Sequence, residues 1–323
     1  MPANDPAAKS AVETRQLDES HAGKRLDVVL AELFPAYSRS RLKQWILEGR
    51  VWLDDRACKP KDRVVGLEQL RFAPGEWRDE GRCEPEAMAL DIVHEDDAVL
   101  VLNKPAGRVV HPAAGHHHGT LQNGLLHYLP ALRGVPRAGI VHRLDKDTSG
   151  LMVVARTVEA HHDLVAQLQA RSVRREYLAL VQGELVAGGT IDAPIGRHPV
   201  DRKRQAVTET GREAITHYRI ERRYQGYTLL RVSLETGRTH QIRVHLAHIH
   251  HPIVGDPVYG GRPRVPRGLD ETLRARLQGF PRQALHARRL GLLHPRSGEA
   301  MQWEAPPPAD MAELITALEP LAQ

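Results

Sequence analysis

The chain has 323 residues, enough for two domains with a sizeable buried core, and 41% of them are hydrophobic. No apolar run approaches the roughly 18 residues of a membrane span, and Met1 to Ser10 carries no signal-peptide core, so a soluble, cytoplasmic protein is expected. Lys and Arg number 45 against 40 Asp and Glu, a net +5 compatible with a polyanionic partner; the two cysteines, Cys58 and Cys83, exclude a disulfide framework and lack metal-ligand spacing.

Residues 1–12 are rich in Ala, Pro, Asn and Lys without periodicity, which predicts a disordered start. Leu26, Val29, Leu30 and Leu33 then recur at helical spacing, and Pro35 stops that helix. Ser38 or Ser40 is expected to cap a second helix with Leu42, Trp45 and Ile46 inside, closed by Gly49. A short strand over 51–53 and an Asp54-Asp55 turn follow. Arg39, Arg41 and Lys43 fall on the solvent face of the second helix, with Arg50 just beyond it; such charges are either an ordinary solvated surface or a contact for phosphate. This helix, turn, helix and strand order resembles the S4 RNA-binding domain over about residues 13–75, and the resemblance implies that the basic helix lies against an RNA backbone.

The first domain is expected over 13–78 and a linker over 79–89, inside a polar stretch that runs from Gly75 to Pro85. From 90 to 323 a second domain follows. Its predicted elements are strands at 98–102, 151–155, 176–181, 216–222 and 227–234, with a helix capped by Thr157 that buries Leu164, Val165 and Leu168. Between the first two strands lie Asn103-Lys104-Pro105 and a loop rich in Gly and His through Gly119. Strands and helices without regular alternation predict an α+β fold.

The densest polar run inside apolar segments is Val141 to Gly150, VHRLDKDTSG. A turn would explain it, since Asp147, Thr148, Ser149 and Gly150 form turns readily and Asp145 could pair with Arg143 or Lys146. The run closely resembles the signature of the RluA family of pseudouridine synthases. So do LETGRTHQIRVH, from Leu234 to His245, and Arg175-Glu176-Tyr177, in the family's order. The likeness continues through Gly255 to Gly260, GDPVYG, and Gln283 to Ala287, QALHA, spanning about residues 90–310. It implies a catalytic domain built on a mixed, mainly antiparallel, bent β-sheet flanked by helices, using neither metal nor organic cofactor.

The same resemblance implies that Asp145 is the catalytic carboxylate, that Tyr177 stacks on the uracil and helps remove the C5 proton, and that Arg243 keeps Asp145 ionised. Breaking the C1′–N1 bond leaves the sugar carbon electron deficient, which is where a carboxylate is needed. Thr239 is expected to cap a helix with Ile242, Leu246 and Ile249 inside, which turns Arg243 about 100° off that stripe, toward an exposed cleft edge. A buried uridine must be extruded before it reacts, and by family likeness Arg143 fills the vacated space; an ordinary salt bridge is the other explanation for it. His142 is expected to shape the loop, and Arg238 and His240 to shape a turn or touch phosphate. The basic run from Arg197 to Arg204, with Arg202, Lys203 and Arg204, suits phosphate contacts or a solvated hairpin tip.

Of 19 histidines, His116 to His118 are contiguous and His245, His248, His250 and His251 lie close together, yet no metal-binding motif frames them, and no metal site is expected. The His116 to His118 triplet also departs from the family's pattern for its loop. Within the family, the stretches 136–143, 217–220 and 255–261 and the S4-like front domain are similar to members that modify large-subunit ribosomal RNA. That implies the folded helix 69 stem-loop of 23S rRNA, free or in the large-subunit particle, as substrate for a monomeric enzyme without membrane contact. Another rRNA uridine or a tRNA is the alternative target. Two rival classes are a non-catalytic S4-type ribosome-assembly protein and a nucleoside or glycoside hydrolase with Asp145 and Asp147 as paired carboxylates.

Overall fold

The computed structural model describes residues 12–34, 37, 39–74, 83–112, 118–201, 204–263, 265–266 and 268–323. The expected disorder of residues 1–12 therefore lies, apart from Val12, outside the described residues, as do Ser38, His116, His117, Arg202 and Lys203. The chain divides into two compact units, Met1–Arg82 and Cys83–Gln323.

In the first unit, strands β1 (Glu13–Gln16), β2 (Val51–Leu53), β3 (Arg56–Ala57) and β4 (Gln69–Phe72) form an antiparallel sheet in the order β1-β4-β2-β3, and helices α1 (Leu26–Leu33) and α2 (Arg39–Leu47) pack together. Leu26, Val29 and Leu30 of α1 and Leu42, Trp45 and Ile46 of α2 are buried with Val51, Leu70 and Phe72. Leu33 only borders that core. Because α2 begins at Arg39, Ser40 lies within its first turn and is not the cap. The β2–β3 turn holds Asp54 and Asp55 at φ 48° and 60°, the left-handed region that short-chain acidic residues tolerate.

The second unit contains strands β5 (Ile92–Glu95), β6 (Val99–Lys104), β7 (Ser149–Ala155), β8 (Arg174–Gln182), β9 (Gly189–Asp192), β10 (Ile195–Arg197), β11 (Gln205–Val207), β12 (Ile215–Tyr224), β13 (Tyr227–Leu234), β14 (Leu285–Leu293) and β15 (Ala300–Glu304). Its helices are α3 (Leu121–Tyr128), α4 (Val158–Gln169), α5 (Gln241–His248), α6 (Glu271–Gly279) and α7 (Ala309–Leu318). Nine strands make one sheet, β5-β6-β7-β14-β8-β13-β12-β9 with β15 beside β14; only β7 and β14 run parallel. β10 and β11 form a separate hairpin. The unit is α+β with a mixed, mainly antiparallel sheet.

Alternate residues of β6 and β7 enter different cores. Leu100, Leu102, Met152 and Val154 join the main core with α3, α5, α6 and α7, whereas Val99, Val101, Leu151 and Val153 pack with Ala160 and Leu164 of α4. Both faces of β7 are thus covered, and the polar loop just before it is anchored on a rigid strand. Gly150 makes the β7–β14 approach possible, because at φ 118° a Cβ would stand 2.3 Å from the Ala287 carbonyl oxygen.

Residues 83–89, expected within the linker, are bound to the second unit: Asn123 of α3 donates from Nδ2 to the Glu84 carbonyl at 2.7 Å, and the Glu86 N–H donates to the Asn123 carbonyl at 3.1 Å. The sequence there is polar and irregular, but these two backbone groups tie it to α3.

Candidate active site

A cleft of about 560 Å³ opens in the second unit, and Asp145, Tyr177 and Arg243 line it together with His142, Arg143, Arg238 and His240. Asp145 lies on the loop before β7, Tyr177 on β8, and Arg243 on α5. Asp147 is not part of the lining, so the paired carboxylates of a hydrolase do not face one another across this cleft.

Arg243 is 5% exposed, not at an open cleft edge as its helical position suggested. Its Nε and Nη2 donate to the two oxygens of Asp256 at 2.7 and 2.9 Å, and Nη1 donates to Asp145 Oδ2 at 2.9 Å. Burial works against the charged guanidinium, but Asp256 and Asp145 outweigh it and raise its pKa above the ordinary arginine value. Burial likewise disfavours the Asp256 carboxylate, yet Arg243 and the N–H groups of Val258 and Tyr259 hold its pKa below the usual range. Asp256 sits in the GDPVYG segment, where backbone donors two and three residues downstream fix its carboxylate.

Helix α5 starts differently from expectation. Thr239 does not cap it; His240 is the N-cap, in the left-handed region at φ 58° without a side-chain cap bond. The turn is held instead by buried Gln241, whose Oε1 accepts from Thr236 Oγ1 at 2.7 Å and the Arg238 N–H at 2.9 Å. Its Nε2 donates to the Ile215 carbonyl and Thr216 Oγ1, each at 3.0 Å, so every hydrogen-bonding position of the amide is used. His240 Nδ1 lies 2.9 Å from the Tyr259 hydroxyl, which accepts the Gln205 N–H at 2.9 Å. The other ring nitrogen of His240, Nε2, lies 3.9 Å from Asp145 Oδ1. The Tyr259 ring also receives the guanidinium carbons of Arg243 and Arg204, 5.1 and 5.3 Å from its centroid.

The Asp145 loop is fixed by four buried side chains, one for each of the next four residues. Lys104 Nζ donates to the Lys146 carbonyl at 2.9 Å, Arg282 Nη1 to the Asp147 carbonyl at 3.2 Å and Gln283 Nε2 to Thr148 Oγ1 at 3.0 Å, while His286 Nδ1 meets Ser149 Oγ at 3.0 Å. Arg282 is itself gripped by both oxygens of Asp310 on α7, each at 2.7 Å. Burial pulls the Lys104 pKa down to about 7 against the opposing pull of Asp147 and Asp145.

Tyr177 is buried in the main core, on β8, whose two edges are covered by β14 and β13. Burial raises its phenol pKa, an effect Asp145 reinforces and Arg175 opposes. His142 Nε2 accepts the Val153 N–H at 3.1 Å, tying the loop to β7, and burial drives its pKa down to about 3. Arg143 is exposed and has no carboxylate partner among the described residues, so the salt-bridge explanation does not describe it. Arg238 Nε donates to the Glu213 carbonyl at 2.9 Å. Thr157 Oγ1 accepts the Ala160 N–H at 3.1 Å at the start of α4, while Val165 and Leu168, expected inside, reach the cleft.

In the first unit Arg39 donates from Nη2 to buried Asp27 at 2.9 Å, Arg50 pairs with Glu48 at 3.3 Å, and the Arg41 guanidinium stacks on Tyr37 and Trp45. Lys43 and the paired Arg39 are exposed, whereas Arg41 and Arg50 are half-buried. Among the described residues no cluster of His, Cys, Asp and Glu could hold a metal ion, and no helix is long and apolar enough to cross a membrane.

Residues 98–248 match the family model described as RNA pseudouridylate synthase, and residues 24–66 match the S4 domain. The chain is 56% identical over 303 residues to the ribosomal large subunit pseudouridine synthase D of Escherichia coli strain K12, covering 94% of this chain and 93% of that one. It is also 56% identical over 301 residues to the Pseudomonas aeruginosa protein of the same name, covering 92% of each. Among solved structures, human RNA pseudouridylate synthase domain containing 4 superposes with a TM-score of 0.56 at 25% identity, over 71% of this chain and 93% of that chain.

Proposed function

As the chain belongs to the RluA-type RNA pseudouridylate synthases and carries their S4 domain, we propose that this pseudouridine synthase acts on large-subunit ribosomal RNA, at the helix 69 stem-loop of 23S rRNA, with Asp145 as its catalytic carboxylate. The observation that carries the reading is Asp145 inside the cleft, hydrogen-bonded by a buried arginine that Asp256 also holds, with Tyr177 in the same lining.

The reaction is an isomerisation. The C1′–N1 bond breaks with its electron pair going to N1, the freed uracil turns, C5 bonds C1′, and the proton lost from C5 is balanced by one gained at N1. Asp145 acts at the ribose, where positive charge develops, and Arg243 keeps it ionised and aimed. Tyr177 stacks on the uracil while its hydroxyl helps carry away the C5 proton. Arg143, exposed and without a carboxylate partner among the described residues, fills the space left in the RNA when the uridine swings out. His142 and Arg238 shape the walls against which the nucleotide rests, and His240 borders Asp145, with Nε2 3.9 Å from Oδ1.

Arg39, Arg41, Lys43 and Arg50 supply phosphate contacts from the S4 domain, with Arg202, Lys203 and Arg204 from the catalytic one. The enzyme works as a cytoplasmic monomer without metal or organic cofactor. Incubating the protein with unmodified 23S rRNA, free and in large-subunit particles, and mapping pseudouridines before and after tests this. New pseudouridines in helix 69 are expected; new ones elsewhere would reassign the target, and none in any RNA would overturn the reading.

A further inference from the structure

The cleft is rich in arginine, and part of the charge is neutralised by the protein itself. Arg243 is held by Asp145 and Asp256, Arg171 pairs with Glu213 and Glu235 at 2.8 and 2.9 Å, and Arg238 donates to the Glu213 carbonyl. Arg175, on the same strand as Tyr177, is different. Its Nε is buried and has no acceptor among the described residues. An exposed guanidinium such as that of Arg143 is satisfied by water, but a desolvated N–H without an acceptor is a standing cost that a ligand oxygen would relieve.

The opposite wall is built to admit this side chain. A Cβ at Gly237 would stand 2.9 Å from Arg175 Nη1, so the guanidinium lies against a backbone with no side chain. Its field also reaches the cleft interior, where it opposes the rise of the Tyr177 pKa and adds to the fall of that of His142.

We propose that Arg175 is a phosphate-binding residue, its forked guanidinium receiving a non-bridging oxygen of the phosphate beside the uridine drawn into the cleft; this deepens the reading of the cleft as a uridine-isomerising site. Uridine is neutral at its base and sugar, and the phosphate is the anion that accompanies it into the cleft. The fork and the unmet donor match that acceptor, whereas Tyr177, Ile242 and Leu285 offer the base ring and aliphatic surface.

Steady-state kinetics of the full chain on a 23S rRNA fragment, over a series of salt concentrations, test it. Arg175→Met is expected to raise KM about tenfold or more with a far smaller change in kcat, and to flatten the slope of log(kcat/KM) against log[salt] by about 0.7 to 0.9. Arg175→Lys, which keeps the charge, is expected to retain the slope. Wild-type KM and salt slope in Arg175→Met would overturn the assignment. So would a loss confined to kcat, which would put the guanidinium on the freed uracil. A wild-type protein that forms no pseudouridine would instead defeat the underlying reading, and RNA binding by Arg175→Met, measured separately, would still report the phosphate contact.

Discussion

Asp256 is the residue whose removal tests the electrostatic arrangement most revealingly, because it does not line the cleft yet controls the arginine that does. Its side chain is fully buried and accepts four hydrogen bonds, two from Arg243 and one each from the N–H groups of Val258 and Tyr259. Asp256→Ala leaves the buried guanidinium with one carboxylate in place of two. Breaking a buried pair from one side costs about 3–5 kcal/mol. At roughly 2–4 °C per kcal/mol for a unit of this size, the melting temperature should fall by about 6–20 °C. Arg243 would then follow Asp145 alone, and misplacing such a pair by an ångström costs on the order of 100-fold in kcat. Asp256→Asn, which keeps the shape and one acceptor for the backbone, should fall between the two. The assays are calorimetric melting and pseudouridine formation under single turnover, with RNA binding measured in parallel and expected to change little. An Asp256→Ala protein that melts within about 2 °C of wild type and turns over at the wild-type rate would refute the argument.

Three other outcomes follow from the same geometry. Acid unfolding should depend on Asp256: its pKa is depressed on folding, so its stabilisation is present above the ordinary value of 3.8 and is lost as pH falls through the folded value. Over that interval the unfolded chain binds more protons, and a denaturant-melting series should show wild type losing stability more steeply than Asp256→Asn. Tyr177→Phe should bind the rRNA fragment like wild type but turn over about 100-fold more slowly or worse, as measured by gel shift and single-turnover assay; an unchanged rate would count against the hydroxyl's role. Gly150→Ala should destabilise the protein by roughly 2–5 kcal/mol in urea melts, since the added Cβ meets the Ala287 backbone and φ 118° disfavours any side chain.

What the sequence revealed depended on whether the pattern was local. The strand at Tyr227–Leu234 and the Thr157 cap were legible because apolar runs and capping residues act over a few positions. The burial of Arg243 was not. A helical wheel treats the side opposite the apolar stripe as solvent, whereas here it faces an aspartate 13 residues downstream that arrives through a later turn. Thr239 had the residue type and position of a helix cap, but the buried amide of Gln241 reorganised the turn and pushed the start of α5 forward. The four side chains fixing residues 146–149 come from as far as residue 286, and no spacing rule connects them. Asp145, Tyr177 and Arg243 were singled out by resemblance to a family, since each alone has an ordinary structural explanation.

The most direct measurement is single-turnover pseudouridine formation by Asp145→Asn beside wild type, on one rRNA fragment and with binding measured on the same preparations. Asn preserves the size of the side chain and an acceptor for Arg243 while removing the charge that meets the ribose. Undiminished RNA binding with no pseudouridine above background is the predicted result. Turnover within about tenfold of wild type would contradict the account, because a carboxylate acting at the reacting carbon cannot be replaced by a neutral amide at so small a cost.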